Sequence, residues 1–268
     1  MVIVQQPGVP FLGNNQFARS VGDSIIALTH YSSTAVFEEW HAHTTSSISF
    51  LLYGTYEEHL LGMRYKRMPG DIKYVPFGEA HRCVFYTPGT RAINLNLTPS
   101  LLKQLDLADN KIMQVLHDFK HTKFALVKLF KELLTADESM EAVSQLTLHQ
   151  LFYPGILSLK KYNQPPRWVI ILKEILHDEW NTSYELNDLA NRCGVHRITI
   201  SRYFHQYFSI TLGRYIHQIR IDKAMSMIKA TSLSLTDIAY KCGFADQAHF
   251  TRTFKNITGF LPRDFRKI

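Results

Sequence analysis

A short phrase is written twice near the C-terminal end of this chain, and that repeat constrains the fold more than any other feature. The first copy is Leu189-Ala190-Asn191-Arg192-Cys193-Gly194-Val195. The second is Ile238-Ala239-Tyr240-Lys241-Cys242-Gly243-Phe244, at a constant offset. Each copy leads into a polar run with an aromatic stop, Arg202-Tyr203-Phe204 in one and Arg252-Thr253-Phe254 in the other, the second turn having gained one residue. Ala190 and Ala239 are small enough for a second helix to cross closely. Gly194 and Gly243 fall where a first helix must stop, at positions suited to positive φ. Val195 and Phe244 would then plug the angle. Helix, tight turn, helix is the arrangement whose second helix enters the major groove of DNA. One glycine-turned helical hairpin is common; two at this spacing, each with an arginine on its second helix, are a specific signal.

The stretch from about Trp168 to Arg266 resembles the DNA-binding domain of the AraC/XylS family of bacterial transcription regulators. The resemblance is carried by Asp237-Ile238-Ala239, Gly243-Phe244-Ala245-Asp246-Gln247, Phe250-Thr251-Arg252-Thr253-Phe254-Lys255 and Thr258-Gly259-Phe260-Leu261-Pro262. It implies double-stranded DNA as partner, a homodimer, an unknown small-molecule effector, contact with RNA polymerase, and a cytoplasmic protein that is not an enzyme. The first copy departs at Ser209, where the second has Gly259, so the turn after the first recognition helix is expected to be less regular.

Composition agrees. The net charge is +7 over 268 residues, and residues 168–268 hold 14 Lys+Arg against 9 Asp+Glu. The basic excess therefore concentrates where DNA contact is read. Cys83, Cys193 and Cys242 are odd in number, which points to reduced thiols rather than a disulfide framework. No apolar run approaches the ~20 residues of a membrane span, and the N-terminus lacks the order of a secretory signal.

Read in order, residues 1 to about 20 suggest an irregular arm. From Ser24 to Leu97, strand-like pieces such as Ile48-Ser49-Phe50 and Ile93-Asn94-Leu95-Asn96-Leu97 alternate between Gly/Pro turns, suggesting a sandwich or jelly-roll barrel. His41-Ala42-His43, with Gly70-Asp71 and Pro76-Phe77-Gly78-Glu79-Ala80-His81 further on, resembles the two motifs of the cupin family. In that family two histidines, a glutamate and a third histidine bind a divalent metal. Here the positions after His43 carry no glutamate. His41, His43 and His81 are therefore read as effector-pocket residues, with no resident metal expected, although three imidazoles could still hold zinc.

From Pro99 to about Lys161 the pattern is helical. Phe124, Val127, Phe130 and Leu134, then Met140, Val143, Leu146 and Leu151, recur at helical steps. The bland reading is core; the resemblance implies a dimer interface. Lys160 to Pro166, ending in paired prolines, is an extended spacer.

Within the DNA-binding part, Trp168, Ile171, Leu172 and Ile175 line the core side of a first helix. Thr182 and Glu185 form a capping box. In the first recognition helix (196–207), Ile200, Tyr203, Phe204 and Phe208 are core. Arg197, Ile198, Ser201 and Arg202 face outward, and the resemblance places Ile198 and Ser201 on base-facing positions. A long helix (212–229) joins the two units, its Arg220 pairing with an acidic neighbour or phosphate. In the second recognition helix (246–258), Phe250 and Phe254 are buried, leaving Gln247, His249, Thr251, Arg252 and Lys255 for DNA. Arginine bonds both guanine acceptors and glutamine both adenine edges.

The expected fold is α+β: a cupin-like effector-sensing β-barrel over 1–98, a helical dimerisation segment over 99–162, and an all-α domain with two helix-turn-helix units over 163–268. The expected function is an effector-controlled, sequence-specific transcription regulator. The competing classes are a metal-dependent cupin-type enzyme and a DNA-binding protein with a purely structural barrel.

Overall fold

Period-two alternation of side chains builds the N-terminal half of the protein. The computed structural model describes residues 3–4, 11–31, 39–84, 86–118, 122–135, 142–149, 151–152, 165–208 and 210–268. The spacer at 160–164, Met140 and Ser209 lie outside the described residues. The chain divides into two compact units, Met1–Phe152 and Tyr153–Lys267. The helical segment after residue 99 thus groups with the strands.

The first unit contains two five-stranded sheets. One runs in the order β1 (Ile3–Val4), β4 (His41–Ala42), β9 (His81–Val84), β6 (Tyr56–Leu60), β7 (Met63–Arg67). The other runs β2 (Asn14–Val21), β3 (Ser24–Tyr31), β10 (Thr90–Leu97), β5 (Ser46–Tyr53), β8 (Ile72–Val75). They form no closed barrel among the described residues; each sheet keeps two edges. The expectation of a barrel is corrected to two facing sheets. Lys73 of β8 in one sheet bonds Glu58 of β6 in the other, so their inner faces meet.

The expected irregular arm is also corrected, because Asn14–Val21 is a strand. Its polar residues misled the reading because it is an edge strand whose Asn14, Gln16, Ala18 and Ser20 face water. Phe17 on the opposite face meets the Phe130 ring edge-on at 5.4 Å.

Three helices follow: α1 (Pro99–Gln104), capped by Thr98, α2 (Asp109–Asp118) and α3 (Thr122–Thr135). Residues 142–149 are helical as well. The apolar stripe divides. Phe124, Val127 and Phe130 are core within the chain, as are Leu151 and Phe152, whereas Leu134, Val143 and Leu146 are exposed.

Every described element of the second unit is a helix: α4 (Arg167–Asp178), α5 (Leu186–Cys193), α6 (Arg197–Phe208), α7 (Leu212–Ala230), α8 (Leu235–Lys241), α9 (Gln247–Thr258) and α10 (Pro262–Lys267). Helix α4 centres its core face on Val169, Leu172 and Leu176, with Trp168, Ile171 and Ile175 packed half-buried around them. The Thr182–Glu185 capping box does not form. Glu185 itself holds the N-cap position of α5, without a side-chain bond, and the Thr182 carbonyl accepts from Arg220 instead. Ser234 does cap α8: its hydroxyl accepts from the Asp237 N–H at 3.0 Å and donates to the Asp237 carboxylate at 2.6 Å.

Candidate nucleic-acid interface and sensor cavity

The two repeats fold into matching turns. The Val195 N–H donates to the Ala190 carbonyl and the Phe244 N–H to the Ala239 carbonyl, both at 3.0 Å. Gly194 (φ 67°) and Gly243 (φ 72°) lie in the left-handed region that favours glycine. Ala190, Ala239, Cys193 and Cys242 are buried at each crossing. Burial pushes the Cys242 thiol up to about 12, so it stays protonated and acts as packing.

On α6, Ile200, Phe204 and Phe208 are buried, with the two phenylalanine rings stacked at 4.2 Å. Arg197, Ile198, Ser201 and Arg202 are exposed as expected. Tyr203 was read as core and is exposed instead. Helical geometry turns it about 100° from both Phe204 and Arg202, which sets it beside the outward face. On α9, Phe250 and Phe254 are fully buried, while Gln247, Arg252 and Lys255 are exposed. The Gln247 side-chain oxygen accepts from the Thr236 hydroxyl at 2.7 Å, which fixes the direction of its amide. Thr251 is half-buried.

His249 departs from the expected outward position. It is half-buried, and its ring lies 5.3 Å from those of both Phe244 and His217. Its backbone N–H is held by the Asp246 cap at 2.6 Å. Burial, then His249 and Arg220, lowers the basicity of His217.

Among the described residues, Arg220 on α7 pairs with backbone rather than with the acidic side chain that was the first expectation. Its guanidinium donates to three backbone carbonyls: Trp180 at 3.2 Å, Thr182 at 2.9 Å and Gly243 at 2.6 Å. The first two precede the first repeat, and the third is the turn of the second. One side chain thus bridges the two reading units through rigid backbone. No sequence motif marks it, because its partners are carbonyls that every residue carries.

In the first unit, a cavity opens between the inner faces of the sheets. Its lining includes His41, His43, His81, Lys73, Tyr56 and Tyr86. The cross-strand register sets His41 of β4 opposite His81 of β9, and His43 follows on the same side. The three ring centroids lie 4.3–5.0 Å apart. Nδ1 of His41 lies 2.9 Å from the Glu39 carbonyl, and Nδ1 of His81 lies 3.3 Å from the Glu79 carbonyl. A carbonyl only accepts, so each of these Nδ1 atoms donates to it. Burial, then His41 and Lys73, lowers the His43 pKa to about 4. Burial, then Lys73 and the other two imidazoles, lowers that of His81 to about 3.

The sequence reading named neither Lys73 and the tyrosines of the lining nor Glu58, which pairs with Lys73. Glu58 is fully buried between Lys73 (2.7 Å) and Arg67 (2.6 Å). Burial raises its carboxyl pKa, but the two cations outweigh that and hold it below its ordinary value. Burial likewise opposes the Lys73 charge, yet Cys83, Glu58 and Tyr56 keep the ammonium well above its usual range. Tyr86 stacks between Tyr31 (4.3 Å) and Tyr56 (5.0 Å). Tyr56, Glu58 and Leu60 alternate on one face of β6, so the period-two pattern already held this signal.

A family model described as "Helix-turn-helix domain" matches residues 189–268. The "HTH-type transcriptional activator RhaS" of Escherichia coli O6:H1 is 25% identical over 267 residues, covering 92% of this chain and 93% of that protein. The "Msm operon regulatory protein" of Streptococcus mutans is 25% identical over 154 residues, 52% of this chain and 55% of its own length. The chain thus spans nearly all of one relative and about half of the other. Unsaturated fatty acid bound ToxT from Vibrio cholerae aligns over 92% of this chain and 96% of its own, at 13% identity and a TM-score of 0.36.

Proposed function

We infer from its family, that of the AraC-type DNA-binding transcription regulators, that this chain reads a two-part DNA site under control of a small molecule held in its N-terminal unit. The observation that carries this reading is the duplicated turn. Each copy buries the same inner positions and leaves an arginine, Arg202 or Arg252, exposed on its second helix. Arg202 and Arg252 bond guanine edges or phosphate. Gln247 pairs with adenine, Ile198 meets a thymine methyl, and Ser201, Arg197 and Lys255 complete the contact. Thr251 and His249, half-buried, hold the second helix in place more than they read. The two helices enter successive major-groove segments roughly 34 Å apart.

The two facing sheets act as a cupin-like sensor, with the cavity that includes His41, His43 and His81 as effector pocket. Residues 1–98 form that sensor, 99–162 the dimerisation segment and 163–268 the reading domain. The exposed Leu134, Val143 and Leu146 support a homodimer face, and RNA polymerase is the further protein partner. No described helix is long and apolar enough to cross a membrane, and the cytoplasm is the proposed location. The effector works by population shift, binding one arrangement of the chain better than another.

Selection of bound sequences from random duplex DNA, titrated at two salt concentrations, tests the reading. The expected result is a motif with two half-elements about one helical turn apart. Binding without a motif that vanishes as salt rises would be phosphate attraction alone and would overturn it.

A further inference from the structure

We propose that Asn94, Ser47 and Ser49 form the recognition floor of the sensor cavity, and that its ligand is a small uncharged molecule placing an O–H or N–H donor on Asn94 Oδ1. The proposal rests on the effector-pocket reading above and supplies the chemistry of that ligand.

A chain of side-chain hydrogen bonds fixes which end of the Asn94 amide is left for the cavity. It starts at the Phe11 carbonyl, which can only accept, so the contact at 2.9 Å comes from the Asn15 amide nitrogen. The Asn15 oxygen is then the end that meets Thr29, and it takes the single hydroxyl proton of Thr29 at 2.8 Å. With that proton committed, the Thr29 oxygen can only accept, and Nδ2 of Asn94 donates to it at 2.8 Å. Each assignment forces the next. Asn94 lines the cavity and is 4% exposed. Its oxygen, at the far end of the amide, has no hydrogen-bond partner among the described residues.

Two hydroxyls flank this acceptor. Strands β5 and β10 set Ser49 opposite Asn94, and Ser47 follows two residues along on the same face. Both serines line the cavity and are 6% exposed, and neither hydroxyl has a hydrogen-bond partner among the described residues. Burying an unpaired hydroxyl is unfavourable, and alanine would fill either position without that penalty. A ligand that completes all three groups explains why they stand together.

Charge sets the class of that ligand. The ionic groups beside the floor are engaged with one another. Lys73 donates to Glu58 at 2.7 Å and to Cys83 at 3.9 Å, and Arg67 takes the other Glu58 oxygen. An anion would set its oxygens against Asn94 Oδ1, acceptor against acceptor. A cation would meet the positive excess of Lys73 and Arg67 over Glu58. An uncharged donor meets neither repulsion.

A set of fragments of nearly one shape tests this on the full chain by saturation-transfer NMR. Acetamide and propan-2-ol carry a donor; acetone and acetate carry none. Wild type should bind at least one donor fragment roughly tenfold more tightly than acetone or acetate, as one added hydrogen bond allows. Which donor fragment binds separates an amide ligand from a hydroxyl one. Ser47→Ala and Ser49→Ala should weaken that fragment, while the ligand-free chain melts no lower than wild type because neither hydroxyl holds the fold. Thr29→Val is nearly isosteric but breaks the relay and lets the Asn94 amide turn, so acetone should then approach the donor fragment in affinity. Donor fragments that bind no better than acetone and acetate, or not at all, would overturn the proposal. So would serine variants that lower the melting temperature and leave binding unchanged. Titration of the selected DNA site separates this proposal from the reading beneath it. DNA affinity that answers to acetate alone would sink the uncharged ligand and keep effector control. Fragment binding that leaves DNA affinity unmoved would sink effector control and keep the chemistry.

Discussion

The two reading units differ in how firmly the surrounding chain holds them. In the second unit both helices begin on a side-chain cap, Ser234 on α8 and Asp246 on α9, and α9 ends on the left-handed Gly259. In the first unit α5 starts at Glu185 with no cap bond. The outward face of α6 carries the apolar Ile198 and Tyr203, both exposed. The second unit packs a run of aromatic rings from Phe244 through Phe250 and Phe254 to Phe265. One motif has been built once with both helices capped, and once with an uncapped α5 and an apolar tip. That difference suits a second unit that anchors and a first that discriminates by shape and methyl contact.

The turn glycines break the comparison most sharply. A Cβ on Gly243 would stand 2.5 Å from the Asn181 carbonyl oxygen, whereas one on Gly194 meets nothing within 4 Å. Gly243→Ala should therefore cost ~3 kcal/mol or more, strain plus backbone collision. Gly194→Ala should cost only the ~1–2 kcal/mol of a left-handed alanine. Denaturant melts of the two variants check the ordering, and equal losses would mean that the turns are equally crowded.

Arg220→Met should come next, at ~2–3 kcal/mol, since three carbonyls lose a charged donor. Its DNA signature is a separate readout. Affinity for a site with both half-elements should fall toward that for either alone, while single-element binding stays unchanged. A uniform loss across all sites would mean that Arg220 supports only the fold.

Arg202→Ala and Arg252→Ala should each cost ~1–3 kcal/mol of affinity for the selected site, with nearly unchanged melting. If the second unit anchors, Arg252→Ala weakens all sequences and lowers the salt dependence, whereas Arg202→Ala relaxes specificity at one base pair. Competition binding across a mismatch series separates these outcomes. The caps give the smallest effect. Ser234→Ala should lose ~1 kcal/mol, and Glu185→Ser should gain up to about that by giving α5 what α8 already has. Thermal melts in which both changes are silent would remove capping from the explanation.

Much of this was legible in the chain. The repeat located both turns, both recognition helices to within a residue, and the outward arginines, because helical period and glycine punctuation are local properties. His249 and Tyr203 were misplaced since a single helix cannot say how far a neighbour covers its flank. His249 is covered by His217 from α7, while Tyr203 is left bare. The strand Asn14–Val21 was missed because an edge strand needs few apolar residues.

What the sequence determined by itself was the second unit's motif and its chemistry, because spacing along one or two helices encodes them. Tertiary structure alone decided what converges from strands distant in sequence. The cross-strand register sets His41 against His81, sheet facing brings Lys73 to Glu58, and Arg220 finds three carbonyls that no side-chain pattern could announce. Register and sheet packing are settled by the summed burial of whole faces, so no short stretch of the chain contains them.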